Sequence, residues 1–115
     1  MSLEIIHLNE KGVDIIQLQG DVRPDTIEPF QKAVNQILPG CHRLVIEIPE
    51  NRDFTTIGIT LLTEILSDLD KKKGRLVLVC EDKFHIENLE ICNIVPRFCQ
   101  VFPNRQEALA FFQKE

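Results

Sequence analysis

Two short strand-like runs stand in tandem at the start of the chain, and after them strand and helix signatures alternate to its end. Few folds accept that order. Leu3 to Leu8 and Val13 to Gln19 are apolar runs joined by Asn9-Glu10-Lys11-Gly12, and Ile16, Gln17, Leu18 and Gln19 alternate as a half-buried strand does. They are expected to form a hairpin. Gly20-Asp21-Val22-Arg23-Pro24 breaks the second strand. Asp25, with Glu28 three residues on, predicts a capping box for a helix whose apolar face is Ile27, Phe30, Val34, Ile37 and Leu38. Pro39-Gly40 ends that helix, and Arg43 to Ile48, rich in β-branched and apolar residues, reads as a central strand. Leu61, Leu62, Ile65, Leu66 and Leu69 form the strongest helical stripe. Lys71, Lys72 and Lys73 close it as a solvated terminus where cations suit the negative end of the helix, and Gly74 is the expected C-cap. Leu76 to Cys80 reads as a buried strand, Lys83 to Asn93 as a shorter helix, Phe98 to Phe102 as the last strand, and Asn104 with Glu107 as the cap of a final helix. The order β-β-α-β-α-β-α-β-α predicts an α/β fold: a mixed sheet of four or five strands, antiparallel at the opening hairpin and parallel elsewhere, covered by about four helices.

With 115 residues and no linker, repeat or low-complexity segment, the chain is expected to be one domain over residues 1–115. A net charge of -5, no Trp and no Tyr argue against a nucleic-acid or anionic-membrane surface, which needs basic stripes and stacking aromatics. Met1-Ser2-Leu3-Glu4 carries no basic or apolar leader pattern, and no window is apolar over the length a membrane span needs, so a cytoplasmic location is expected. Cys41, Cys80, Cys92 and Cys99 have no C-x-x-C spacing and fall in or beside apolar runs, as small buried hydrophobes do. Neither a metal nor a cofactor is expected.

Catalytic arrays are scarce. There is no G-x-G-x-x-G, P-loop, G-x-S-x-G or H-E-x-x-H. Cys41 with His42, or His85 with Asp82, supplies reactive types without the base and oxyanion hole that a nucleophile needs, so no enzymatic activity is expected. A phospho-receiver domain shares the size and layout, but the opening hairpin breaks its strict β-α alternation and no late lysine completes its acidic site. The distinctive local feature is Thr55-Thr56-Ile57-Gly58, just before the strongest helix. Thr there suits an N-cap, whose hydroxyl accepts from the free N–H groups of the first turn. Gly within a helix costs about 1 kcal/mol relative to Ala, so Gly58 predicts a close approach to the backbone. A helix N-terminus also favours an added phosphate. From these residues alone, a capping role and a phosphoacceptor or docking role stand equally open.

The pattern resembles the STAS domain family, and within it the small anti-sigma-factor antagonists. Gly20-Asp21-Val22-Arg23-Pro24-Asp25-Thr26 is similar to that family's G-E-L-D-x-x-T, and Phe54 to Leu62 to its F-x-D-S-S-G-L-G-x-L. Gly74 to Val79 is similar to G-G-x-L-x-L-V, Leu89 to Ile94 to L-x-x-T/S-G-L, and Glu107-Ala108-Leu109 to E-A-L. The resemblance implies a bacterial partner switch. The unmodified antagonist binds an anti-sigma factor that is also a serine/threonine kinase, frees a sigma factor for transcription, and is released on phosphorylation; a phosphatase resets it. By position the phosphoacceptor is Thr56, and the implied partner-binding residues are Arg23, Asp25, Thr26, Thr55, Ile57, Gly58 and Ile59. Three positions depart from the motif: Thr55 stands in place of its Asp, Ile57 in place of its second Ser, and Arg23 in place of the Asp of G-E-L-D. The alternative implied by those departures is an interaction or scaffold module that has lost the phospho-switch.

Overall fold

The computed structural model describes residues 3–114. Met1 and Ser2, where the leader reading begins, lie outside them. β1 (Glu4–Glu10) and β2 (Val13–Gln19) pair antiparallel, with Glu10 opposite Val13. Lys11 and Gly12 turn the corner with φ of 54° and 80°, the pair of positive angles a tight two-residue hairpin requires. α1 (Glu28–Ile37), a 3-10 turn (Leu38–Gly40), β3 (Arg43–Glu47), α2 (Thr56–Lys71), β4 (Arg75–Val79), α3 (Lys83–Ile91), β5 (Gln100–Phe102) and α4 (Arg105–Gln113) follow. The sheet order is β1-β2-β3-β4-β5, parallel from β2 onward, as the alternation of signatures demands.

Both faces of the sheet are covered, because its central strands are apolar on both sides. Ile16, Leu44, Ile46, Leu76 and Leu78 pack against Phe30 and Val34 of α1, Leu62, Ile65 and Leu69 of α2, and Leu89 of α3. Ile15, Val45 and Val77 point the other way, onto Ala108 and Phe112 of α4. Three helices thus share one face, and α4 covers the other. Among the described residues no helix is long and apolar enough to cross a membrane.

Four local expectations need correction. The Asp25/Glu28 capping box does not form: α1 begins at Glu28, and Ile27 before it has helical angles and no side-chain cap. Pro29 removes one of the N–H groups that a cap would serve. Thr26 shapes the entry instead, accepting from the Arg23 N–H at 2.9 Å and donating to the Asp21 carbonyl at 2.6 Å. At the end of α2, Lys73 rather than Gly74 takes the left-handed conformation, with φ 59°. The Lys73 and Gly74 N–H groups then close on the carbonyls of Asp70 (3.1 Å) and Leu69 (2.7 Å), the paired bonds of a Schellman ending. Glycine at 74 answers a different need, since a Cβ there would stand 2.8 Å from the His42 carbonyl oxygen. The lysine run is not wholly solvated, because the Lys72 ammonium donates to the Leu38 carbonyl and ties α2 to the 3-10 turn. Third, α3 stops at Ile91 and β5 starts only at Gln100, leaving Phe98 exposed rather than in the strand. The cap on α4 forms as expected: Asn104 accepts from the Glu107 N–H at 2.9 Å and donates to the Glu107 carboxylate at 3.2 Å.

The fourth correction concerns the cysteines. All four are free, and Cys41, Cys80 and Cys99 are buried, but Cys92 is exposed at the end of α3. Burial pushes the thiols of Cys41 and Cys99 up to about 12, with the Asp14 carboxylate adding to the effect at Cys41. The thiolate is the reactive form, so folded protein at pH 8 is expected to react rapidly with a thiol reagent at one site, Cys92. Rapid labelling of Cys41 or Cys99 by peptide mapping, without denaturant, would contradict this packing.

Candidate functional site at the C-terminal edge of the sheet

Two segments 32 residues apart are laced together at this edge. Val22 and Phe54 form an isolated parallel bridge. The Val22 N–H donates to the Asp53 carbonyl (2.7 Å), and the Thr55 N–H to the Val22 carbonyl (3.0 Å). The Asp21 carboxylate accepts from the Asp53 N–H at 2.8 Å. Val22 and Phe54 are buried, so strand-like alternation turns their neighbours Arg23, Asp53 and Thr55 outward. Arg23 Nε lies 3.4 Å from an Asp25 carboxylate oxygen, and its Nη1 lies 3.8 Å from one of Asp53. Arg23 Nε is also buried without a hydrogen bond.

Thr55 and Thr56 separate here. Thr55 holds the N-cap position with extended angles, yet its side chain makes no cap bond. Its hydroxyl donates to the Val22 carbonyl at 2.9 Å, so the capping role expected of a threonine hydroxyl gives way to the laced loop. The Thr55 backbone carbonyl still accepts from the Gly58 N–H at 2.9 Å and opens the helix. Thr56 is the first residue of α2 and is exposed. Ile57 and Ile59 are half-buried against the core, and Thr26 and Gly58 are buried. The close approach predicted at Gly58 is real and comes from the protein itself: a Cβ would meet Phe54 Cζ and Val22 Cγ1, each at 2.9 Å.

His85 is the contributor that sequence reasoning undervalued. Asp82 caps α3 by accepting from the Phe84 N–H (2.9 Å) and the His85 N–H (3.4 Å), and it points the imidazole inward. His85 Nε2 donates to the Arg52 carbonyl at 2.8 Å, and the ring stands edge-on to Phe54 with centroids 6.2 Å apart. The pairing with Asp82 that suggested chemistry is 3.6 Å from the same nitrogen. A buried histidine at the start of a helix thus clamps the loop that leads to Thr56. Its only signal in sequence is its placement four residues before Leu89, on the inward face of α3. Cys41 and His42 stand at the opposite end of β3 and take no part.

Beside the loop runs a groove of about 490 Å³, bordered by Thr56, Ile59, Phe84, His85, Ile91 and Cys92. Phe84 and Ile91 are large, exposed apolar residues on its α3 side. A larger groove of about 610 Å³, between the end of α2 and the segment leading to β5, shares Cys92 and does not reach Thr56. The arrangement presents an exposed hydroxyl at a helix N-terminus beside an apolar shoulder.

The whole fold matches solved structures. An anti-sigma factor antagonist from Mycobacterium paratuberculosis superimposes with a TM-score of 0.84 at 16% identity, covering 96% of this chain and 94% of that one. A putative anti-sigma factor antagonist from Thermotoga maritima gives 0.85 at 15% identity, covering 95% and 94%. The Bacillus cell fate determinant SpoIIAA in its phosphorylated form gives 0.71 at 12% identity, covering 96% and 98%. At such identities the likeness is one of fold. No curated protein matches the chain in sequence. The family model of the STAS domain matches residues 6–108, nearly the whole chain. Fold, element order and sequence model agree, and the chain belongs to the STAS domain family.

Proposed function

We propose that this chain is an anti-sigma-factor-antagonist-like binding domain that switches partners with an anti-sigma serine/threonine kinase under control of phosphorylation at Thr56. One observation carries the choice of residue: Thr56 is exposed, and its hydroxyl makes no hydrogen bond among the described residues, whereas the Thr55 hydroxyl is committed to Val22. The fold likeness to SpoIIAA, solved in phosphorylated and unphosphorylated forms, supports the same reading. The kinase would move the γ-phosphoryl group of a nucleoside triphosphate onto Thr56 Oγ, the hydroxyl proton leaving to a base on the kinase and the diphosphate departing. The added charge of about -1.5 to -2 then opposes docking through repulsion and desolvation. The docking surface is formed by Thr55, Thr56, Ile57 and Ile59 with Arg23 and Asp25 beside them, the buried Thr26 and Gly58 shaping the loop beneath it, and the role is that of a binding domain without catalysis.

Intact-mass spectrometry with site mapping on protein from its own cells tests this. A phosphatase-sensitive gain of about 80 Da at Thr56 is the expected result. Its absence across growth conditions would sink the switch and leave a constitutive interaction module. Thr56→Glu is expected to weaken binding of the co-purifying kinase by at least about tenfold, near 1.4 kcal/mol. Equal binding by calorimetry would count against a charge-controlled interface.

A further inference from the structure

Arg23 stands where the resembling motif carries an acid, and its present partners serve it poorly. Its contacts to Asp25 and Asp53 are long, at 3.4 and 3.8 Å, and both carboxylates are well exposed, so water competes for each pair. Its Nε is buried and donates to nothing. A guanidinium is a planar fork that satisfies its donors best against two oxygens of one anion, and neither aspartate is engaged in that way.

The backbone lacing decides what else the fork can meet. Val22 pairs with Phe54, and the Thr55 N–H reaches the Val22 carbonyl, so Arg23 lies opposite Thr55 across the seam and Thr56 is one residue further on, at the start of α2. Adjacent paired segments lie about 5 Å apart and successive Cα atoms about 4 Å, which puts the two residues roughly 5–10 Å apart, within reach of an arginine side chain. Both face solvent: the Arg23 side chain is 34% exposed, and Thr56 opens α2 on the surface.

We propose that Arg23 is the built-in counter-ion of a phosphate on Thr56: on modification its guanidinium leaves Asp25 and Asp53 and closes on the phosphoryl oxygens of the same chain. This rests on the phospho-switch reading above and adds how the modified state is held. The phosphate offers three acceptor oxygens and nearly twice the charge of a carboxylate, so the exchange favours it over both aspartates. The modified loop is then sealed by its own chain, while Asp25 and Asp53 lose their cation and present bare carboxylates to an approaching partner. Release would follow from two freed acids as well as from the phosphate.

The test needs no kinase. Phosphothreonine is installed at position 56 of the full chain by genetic encoding, and its second ionisation is followed by 31P NMR from pH 4 to 8. An unpaired phosphothreonine titrates near 6. The expected result is a midpoint about one pH unit lower, a tenfold loss of proton affinity, that returns toward 6 in Arg23→Gln and only partly in Arg23→Lys, which keeps the charge and loses the fork. An unchanged midpoint between wild type and Arg23→Gln overturns the proposal. So does a lowered midpoint abolished by Arg52→Gln instead. Should Arg23→Gln fail to fold, Arg23→Lys alone decides, since a midpoint identical to wild type would show that the fork plays no part. Failure here leaves phosphorylation at Thr56 untouched, whereas absence of the modification in cells removes the switch without altering this titration.

Discussion

Phe112→Ala is expected to lower the unfolding free energy by about 3–5 kcal/mol, the range for removing a fully buried aromatic ring. Phe112 is 1% exposed and, with Ala108, fills the space over Val13, Ile15, Val45 and Val77. α4 is the one helix on that face among the described residues, so no neighbouring helix can settle into the cavity. Its other anchor is polar. Arg105 grips Glu47 in a fork, Nε to Oε2 at 2.5 Å and Nη2 to Oε1 at 3.0 Å, and this pair fixes the start of the helix without filling the hole at its end. For a chain of this size the loss corresponds to a fall in Tm of roughly 10–20 °C. Urea unfolding and calorimetry read it directly. A loss below about 1 kcal/mol would mean that α4 does not close this face.

Gly58→Val is expected to cost about 3 kcal/mol, and the same position separates two opposing effects in Gly58→Ala. Alanine gains about 1 kcal/mol of helix propensity over glycine. Against this, its Cβ would sit 2.9 Å from both Phe54 Cζ and Val22 Cγ1, inside contact distance of two buried side chains. Overpacking of this kind costs about 1–3 kcal/mol, so Gly58→Ala should be destabilising on balance by about 1 kcal/mol. Valine adds two methyl groups and a β-branch to the same clash. A double variant with Phe54→Leu should recover part of the loss, because shortening the ring frees the space the new Cβ needs. Stabilisation by Gly58→Ala would show that the seam between Val22 and Phe54 is looser than described.

What the sequence made legible was whatever depends on near neighbours. The hairpin turn, the alternation of strands with helices and the Asn104 cap each rest on residues within a few positions of one another, and each forms as read. The misreadings share a cause. Thr55 has the chemistry of a cap, but a carbonyl 33 residues away takes its hydroxyl. Gly74 looks like a left-handed C-cap, but Lys73 takes that conformation and Gly74 is held by a clash with His42, a contact between two strand entrances. Asp25 and Glu28 have the right spacing, but Pro29 and the Thr26 turn set the entry to α1. At the loop before α2 the motif gave Thr56 its address through resemblance. Neither the commitment of the Thr55 hydroxyl to Val22 nor the pairing of Arg23 with Asp53 was readable, because both depend on a seam between distant segments. His85 was hidden in the same way, its partner being the carbonyl of Arg52 on another loop.

The strictly sequential strand order has a consequence for where chemistry can be housed. In open α/β sheets, ligands settle in the crevice that opens where the strand order reverses and neighbouring loops diverge to opposite faces. This sheet grows in one direction only, each crossover from β2 to β5 adding its strand beside the last under a helix on the same face. Among the described residues the strand order has no reversal point, so the loops at its C-terminal edge stack side by side as a continuous rim. A rim of that kind is an open ledge, and what it presents is set by the side chains of successive loops rather than by one enclosed crevice.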